Sequence, residues 1–172
     1  MMVRKNFLYE GLPERDLSHL NKMGQIFQSI NDFKRFTNRI IHVTGESMAV
    51  ILLSIKPEYA EKIFAGTKKY EYRRHIASEK VEKIIVYSTA PFKQVIGEVD
   101  VDGILSMKMT PLWELTKHGA GISRDKYRQY FKNSKCAFAY ILKSPRLYST
   151  PKDLKDYAIN QAPQSFVYIK RR

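Results

Sequence analysis

The sequence predicts an α+β fold: a small β-barrel with short inserted helices over residues 50–172, preceded by a helical N-terminal extension over residues 1–49. Three observations predict it. Apolar residues recur at helical spacing before residue 45 and at strand spacing after residue 50. The later part breaks into short apolar or alternating runs separated by polar turns, and closing such strands on themselves removes exposed sheet edges. A chain of 172 residues, 44% apolar, can bury one substantial core but not two ordinary ones.

Taken in order, Asp16 can cap a helix over 16–43, in which Leu20, Met23, Phe27, Ile30, Phe33 and Ile40 form one apolar stripe that stops near Gly45. A helix with such a stripe packs on something, either the downstream domain or a second copy of itself, which would make a homodimer. It has no accompanying helix and turn of the kind a DNA recognition helix needs. GESMA (45–49) has the spacing of a serine nucleophile elbow but follows a helix and precedes a strand, the reverse of what the elbow requires, so Ser47 reads as a loop residue.

VILLSI (50–55) is an apolar strand, and Pro57 sits in the first turn of the short helix PEYAEKIFA, which turns Tyr59, Ile63 and Phe64 inward and ends at Gly66. KYEYRR (69–74) and KIIVYST (83–89) are strands, followed by a long alternating strand from Gln94 to Met107. The alternation puts Val95, Val99, Val101 and Leu105 on one face and Glu98, Asp100 and Asp102 on the other. Those acids read as a solvated face paired with lysines and arginines across the sheet rather than as catalytic groups.

Two helices follow, TPLWELTKH (110–118) and SRDKYRQYFK (123–132), with Thr110 and Ser123 as caps and a glycine-containing turn between them. The second carries Lys126, Arg128 and Lys132 outward and Tyr127, Tyr130 and Phe131 inward, and its bases are candidates for phosphate contacts. CAFAYILK (136–143) and RLYS (146–149) are strands separated by Pro145, PKDLKDYA is a short helix or turn, and SFVYI (165–169) closes the domain.

Composition narrows the function classes. No apolar run is long enough to span a membrane, and the N-terminus lacks the apolar stretch and cleavage site of a signal peptide, so the expectation is a cytoplasmic protein with no membrane partner. The single cysteine, Cys136, shares a face with Phe138, Tyr140 and Leu142 and reads as a buried inert thiol. His19, His42, His75 and His118 lack metal-site spacing, so neither metal nor cofactor is expected. The net charge of +13 is uneven: residues 1–49 hold 7 basic and 5 acidic side chains, leaving 23 against 12 in the barrel domain. A domain so charged attracts a polyanion, unless the charge serves solubility alone.

The charge concentrates in AGTKKYEYRRH (65–75). On a strand, Lys69, Glu71 and Arg73 point one way and Tyr70, Tyr72 and Arg74 the other. Glu71 can orient Lys68 or Arg73 by ion pairing, leaving the remaining donors for a ligand, and Gly66 lets the chain turn sharply enough to bring Lys68 to the strand's mouth.

The spacing Gly66-x-Lys68-x-x-Glu71-x-Arg73 resembles the signature of the ASCH domain family, a branch of the PUA-like superfamily. LLSIKPEYAEKIFAGTKKYEYRR, VYSTAP and PQSFVYI, in that order, are similar to the ASCH proteins labelled predicted transcriptional regulators, over residues 50–169. The resemblance implies a PUA-like barrel with a cleft beside the motif, lined by Lys68, Glu71 and Arg73 and shaped by Gly66. It also implies RNA binding or nucleoside chemistry in a transcription- or translation-linked role. Some small ASCH proteins resemble amidohydrolases of N4-acetylcytidine that use a threonine three residues after the motif lysine. Glu71 stands there instead, and Thr67 precedes the lysine.

The leading expectation is a nucleic-acid-binding module for RNA or a single-stranded or modified base, in which Lys68, Arg73 and Arg74 meet phosphates and Tyr70, Tyr72 or Tyr87 stack on a base. For the tyrosines, burial in the barrel core is the favoured alternative. The first alternative function is an enzyme, a hydrolase of a modified nucleoside or a ribonuclease, with Lys68 and Glu71 as catalytic pair and Lys68 kept protonated by the carboxylate. The second is a DNA-binding transcriptional regulator dimerised through the N-terminal helix.

Overall fold

The computed structural model of the chain describes residues 48–170. The expected helix over 16–43, its Asp16 cap, its stop near Gly45 and the Ser47 loop lie outside them. The first described strand, β1 (Met48–Ile55), buries both of its faces, with Ile51, Leu53 and Ile55 on one side and Leu52 on the other. That accounts for its apolar run without alternation. Pro57 opens α1 (Pro57–Phe64) at a position whose N–H has no helical partner in any case, and Ala60 and Ile63 seat the helix on the β1 core.

There follow β2 (Tyr70–Arg73), β3 (Lys80–Ser88), β4 (Gln94–Met107), α2 (Met109–Thr116), α3 (Arg124–Tyr130), β5 (Ala137–Lys152), a 3-10 turn at Leu154–Tyr157 and β6 (Phe166–Ile169). The strands form one mixed sheet in the order β2-β5-β4-β3-β1-β6, with β1 parallel to β3 and every other neighbour antiparallel. Contacts beyond the ladder tie the sheet's strands to one another. In the loop after β2, the Ser78 and Glu79 N–H groups donate to the Tyr168 hydroxyl on β6 at 3.0 and 3.3 Å. From β2 itself, Arg73 Nη2 donates to the Ser54 carbonyl on β1 at 2.8 Å. The Arg73 side chain thus carries the β2 edge round to β1, in place of a ladder between β2 and β6 among the described residues.

The main core lies between the sheet and α1, and Leu52, Ile85, Tyr87 and Val95 make a second cluster on the other side of β1. A third, aromatic packing unit joins Tyr72 to Tyr127 and Phe131 at centroid distances of 4.9 and 6.2 Å, and Tyr127 to Trp113 at 4.9 Å. It fixes α2 and α3 against β2. Among the described residues, no helix is long and apolar enough to cross a membrane.

The acids of β4 are paired across the sheet as expected. Lys83 and Arg146 donate to Glu98, Arg146 grips Asp100 with two nitrogens at 2.7 and 3.0 Å, and Lys143 donates to Asp102. Three other expectations are corrected. Pro145 does not end a strand: β5 runs through it, because Lys143–Arg146 forms a bulge opposite Glu98–Asp100, where Ser144 takes φ +50° and the missing proline N–H leaves no gap in the ladder. Cys136 is exposed, not buried, since β5 begins only at Ala137 and strand alternation does not reach it. Val95 does not share the face of Val99, because a register shift between Val95 and Gly97 turns it into the second cluster.

Candidate functional site

The site begins at the end of α1. Gly66 adopts φ +72°, a conformation that glycine enters without strain, and the chain folds back so that the Thr67 and Lys68 N–H groups both donate to the Lys62 carbonyl. Lys68 is thereby turned inward. Its side chain passes beneath the loop after α2: Lys69 N–H donates to the Gly119 carbonyl at 2.8 Å, and Lys68 Nζ donates to the Ala120 carbonyl at 3.1 Å. Gly121, at φ +63°, lies so close that a Cβ there would stand 2.5 Å from Lys68 Cβ.

Lys68 is 4% exposed, Glu71 7% and Arg73 9%, so three ionisable groups share one buried place. Glu71 uses both carboxylate oxygens: Oε2 lies 3.5 Å from Lys68 Nζ, and Oε1 lies 2.9 Å from Arg73 Nη2. The Lys68 ammonium also lies 4.9 Å from the centre of the Tyr72 ring and 5.4 Å from that of Tyr59. Burial lowers the Lys68 pKa, and the opposing pull of Glu71 is the smaller effect. The neighbouring carboxylate thus opposes the shift without setting its direction. Tyr59 and Tyr72 are pushed up by burial, and the Tyr72 hydroxyl donates to Thr116 Oγ1 at 2.7 Å. Arg73 Nε is a buried donor with no hydrogen-bond partner among the described residues, the kind of group a ligand acceptor would satisfy.

Above this floor opens a cleft of about 590 Å³. Of the expected site residues it is lined by Lys68, Glu71, Tyr72 and Arg73. Gly66 shapes the turn without lining the cleft. Tyr70 is half-buried beside Gly119, and Arg74 is exposed, with its guanidinium 5.2 Å from the centre of the Tyr130 ring. Tyr87 does not line the cleft: it is buried in the second core cluster with Leu52, Ile85 and Val95, the alternative favoured for the tyrosines.

Several lining residues were not singled out as site residues from the sequence: Ser54, Lys56 and Tyr59 around the start of α1, Thr89 after β3, Gln129 on α3 and Gln164 before β6. Lys126 and Tyr130 also line it, so the face of α3 expected to be basic outside and aromatic inside presents a base and a tyrosine together to the cleft. The missed signal was the set of segments that carried the resemblance. LLSIKPEY, KKYEYRR, VYSTAP and PQSFVYI are distant in sequence, and each contributes to this one cleft. Among the described residues, no group of three His, Cys, Asp or Glu side chains converges to hold a metal.

The ASCH domain profile matches residues 53–146. An ASCH domain-containing ribonuclease of Zymomonas mobilis is 32% identical over 124 residues, covering 70% of this chain and 84% of that protein. A crystal structure of ASCH from Zymomonas mobilis superposes with a TM-score of 0.66 at 30% identity, covering 72% of this chain and 89% of that one. The large ribosomal subunit protein uL22 of Ureaplasma parvum is 29% identical over 126 residues, 73% of this chain, but the chain spans only 40% of that protein's length.

Proposed function

This chain belongs to the ASCH domain family, and from that premise we propose that its cleft binds single-stranded RNA and cleaves the phosphodiester backbone there. The observation that carries the reading is Lys68, a desolvated ammonium fixed in the cleft floor by Glu71, the Ala120 carbonyl and two tyrosine faces. As the ribose 2′-oxygen attacks the adjacent phosphorus, giving up its proton to solvent, and the bond to the 5′-oxygen breaks to leave a cyclic phosphate, charge grows on the phosphate oxygens, and a preorganised cation in a site of low polarity stabilises that charge more than a surface lysine can. The lowered pKa also makes Lys68 a readier proton donor to a leaving oxygen than an ordinary lysine. Lys56 and Lys126, the latter paired with the lining Glu58 at 3.2 Å, offer positive charge to neighbouring phosphates, and Tyr59 and Tyr130 offer ring faces to bases. Similarity to a protein named as a ribonuclease supports cleavage over capture alone.

Binding without turnover is the second reading, and one observation favours it: both Glu71 oxygens are engaged by cations, which suits positioning better than proton abstraction. A regulatory role in transcription draws no support from the relatives named above.

Lys68→Met, which fills the same buried space without charge and leaves the Glu71–Arg73 pair intact, should keep the melting temperature near that of the parent. It should lower RNA cleavage about a hundredfold or more. Glu71→Gln should also impair cleavage, whereas Lys69→Ala, at an exposed position, should do little. Gel assays on a labelled RNA read all three. Undiminished cleavage by Lys68→Met would sink the cleavage reading, and a parent that binds RNA but never cuts it would leave the binding module.

A further inference from the structure

A second cavity of about 270 Å³ lies across α3 from the cleft, lined by Met109, Thr110, Trp113, Arg124, Tyr127 and Arg128. Its size is just below the ~300–1,000 Å³ of small-molecule pockets, which suits one nucleobase with its phosphate. One wall is aromatic: the Trp113 and Tyr127 rings lie 4.9 Å apart and are tilted by 48°, with Tyr127 buried and its hydroxyl tied to the Met109 carbonyl at 2.8 Å. Two arginines at the rim, Arg124 and Arg128, stand four residues apart and so share a helix face. Arg128 has no ion-pair partner among the described residues, and Arg124 only approaches Glu114 at 4.0 Å.

The helix relates the two sites. Lys126, Gln129 and Tyr130 line the cleft, while Arg124, Tyr127 and Arg128 line the second cavity, so α3 is a ridge between them. A helix with its side chains is about 10–12 Å wide, and a stacked strand advances about 3.4 Å per nucleotide. About three or four nucleotides therefore cross the ridge. Tyrosine faces and cations on one side are matched by an aromatic wall and guanidinium groups on the other, and that combination suits a single strand, with bases on rings and phosphates on cations.

We propose that this cavity is a second RNA subsite, which takes a nucleobase against Trp113 and its phosphates on Arg124 and Arg128 when a strand bound in the cleft passes over α3. The proposal rests on the RNA reading of the cleft. It predicts dependence on strand length: a trinucleotide occupies the cleft alone, and a hexanucleotide reaches both sites.

Trp113 is the chain's single tryptophan, so its fluorescence reports this cavity directly. The experiment titrates the full chain with 2′-O-methyl trinucleotide and hexanucleotide RNA, which resist cleavage, following tryptophan emission and, separately, the anisotropy of labelled strands. The hexanucleotide should change Trp113 emission saturably, and the trinucleotide should leave it nearly unchanged. The double variant Arg124→Ala/Arg128→Ala alters exposed side chains only and should bind the hexanucleotide about tenfold more weakly, with a shallower salt dependence, and the trinucleotide as the parent does. Equal losses for both lengths, or a silent Trp113, would overturn the subsite while leaving RNA binding in the cleft intact. Quenching of Trp113 by a free mononucleotide as strongly as by the hexanucleotide would overturn it too, in favour of a small-molecule pocket. Failure of either strand to bind at all would overturn the RNA reading itself.

Discussion

Two glycines beside Lys68 take left-handed backbone angles, and substituting each by alanine separates backbone strain from disturbance of the site. At Gly66, φ is +72° and a new Cβ would meet nothing within 4 Å, so Gly66→Ala bears only the left-handed penalty of about 1 kcal/mol. At Gly121, φ is +63°, and the new Cβ would stand 2.5 Å from Lys68 Cβ and 2.8 Å from its Cγ. Those are the stem atoms of a buried side chain and cannot swing aside, so an overpacking cost of about 1–3 kcal/mol adds to the same backbone term. For a chain of this length, each kcal/mol moves the melting temperature by about 2–4 °C. Gly66→Ala should therefore melt about 3 °C below the parent and Gly121→Ala about 6–12 °C below. Since relief at Gly121 requires Lys68 to move, that variant should lose the proposed RNA cleavage by about tenfold or more even well below its melting temperature, and Gly66→Ala should retain it. Thermal melts and cleavage rates measured at one low temperature decide the matter. Equal melting losses, or full activity in Gly121→Ala, would show that the loop over Lys68 yields freely and that its position is not set by this contact.

Two further outcomes follow from the geometry. Tyr72→Phe removes a buried hydrogen bond to Thr116, which keeps its own bond to the Leu112 carbonyl, so stability should fall by about 1 kcal/mol. The proposed cleavage should persist because the ring face over Lys68 remains, and an inactive variant with an unchanged melt would contradict this. Glu98 and Asp100 titrate below their ordinary values of 4.5 and 3.8. For Glu98, burial pushes upward but is outweighed by hydrogen bonds from Lys83, Tyr148 and Arg146, and for Asp100 the Arg146 bond dominates. Both folded pKa values lie below the unfolded ones, so this stabilisation is present above about pH 5 and is lost as pH falls through the folded values. Glu98→Gln/Asp100→Asn should therefore flatten the acid side of the pH–stability curve, and an unaltered acid limb measured by urea melts would refute the assignment.

How much of this was legible beforehand differs from element to element. Local pattern determined the strands and short helices well: the alternating run from Gln94 to Met107 is a single strand with those ends, Pro57 opens α1, and Gly66 closes its turn. Each depends on interactions between residues a few positions apart, which a linear sequence displays. The charged motif was legible for a similar reason, since Lys68, Glu71 and Arg73 are neighbours whose ion pairs follow from strand and turn geometry. The sequence by itself thus determined the family, the strands and short helices among the described residues, and the ion-paired trio at the floor of the candidate site.

What it could not display was which face of each element meets which. Alternation assigned Val95 to the face of Val99, but register shifts in the β4–β5 ladder reverse the parity, and only the partner strand sets those shifts. Tyr87 was as good a stacking candidate as Tyr72 on composition, and the sheet's curl sent one to a core cluster and the other to the cleft. Tyr59, Thr89, Lys126 and Gln164 line one cleft with Lys68 only because the ends of β1 and β3, α3 and the segment before β6 come together at it. The direction of the Lys68 pKa shift was decided in the same way: the sequence showed the neighbouring carboxylate, but desolvation comes from the loop at Gly119–Gly121, some fifty residues away, closing over the side chain.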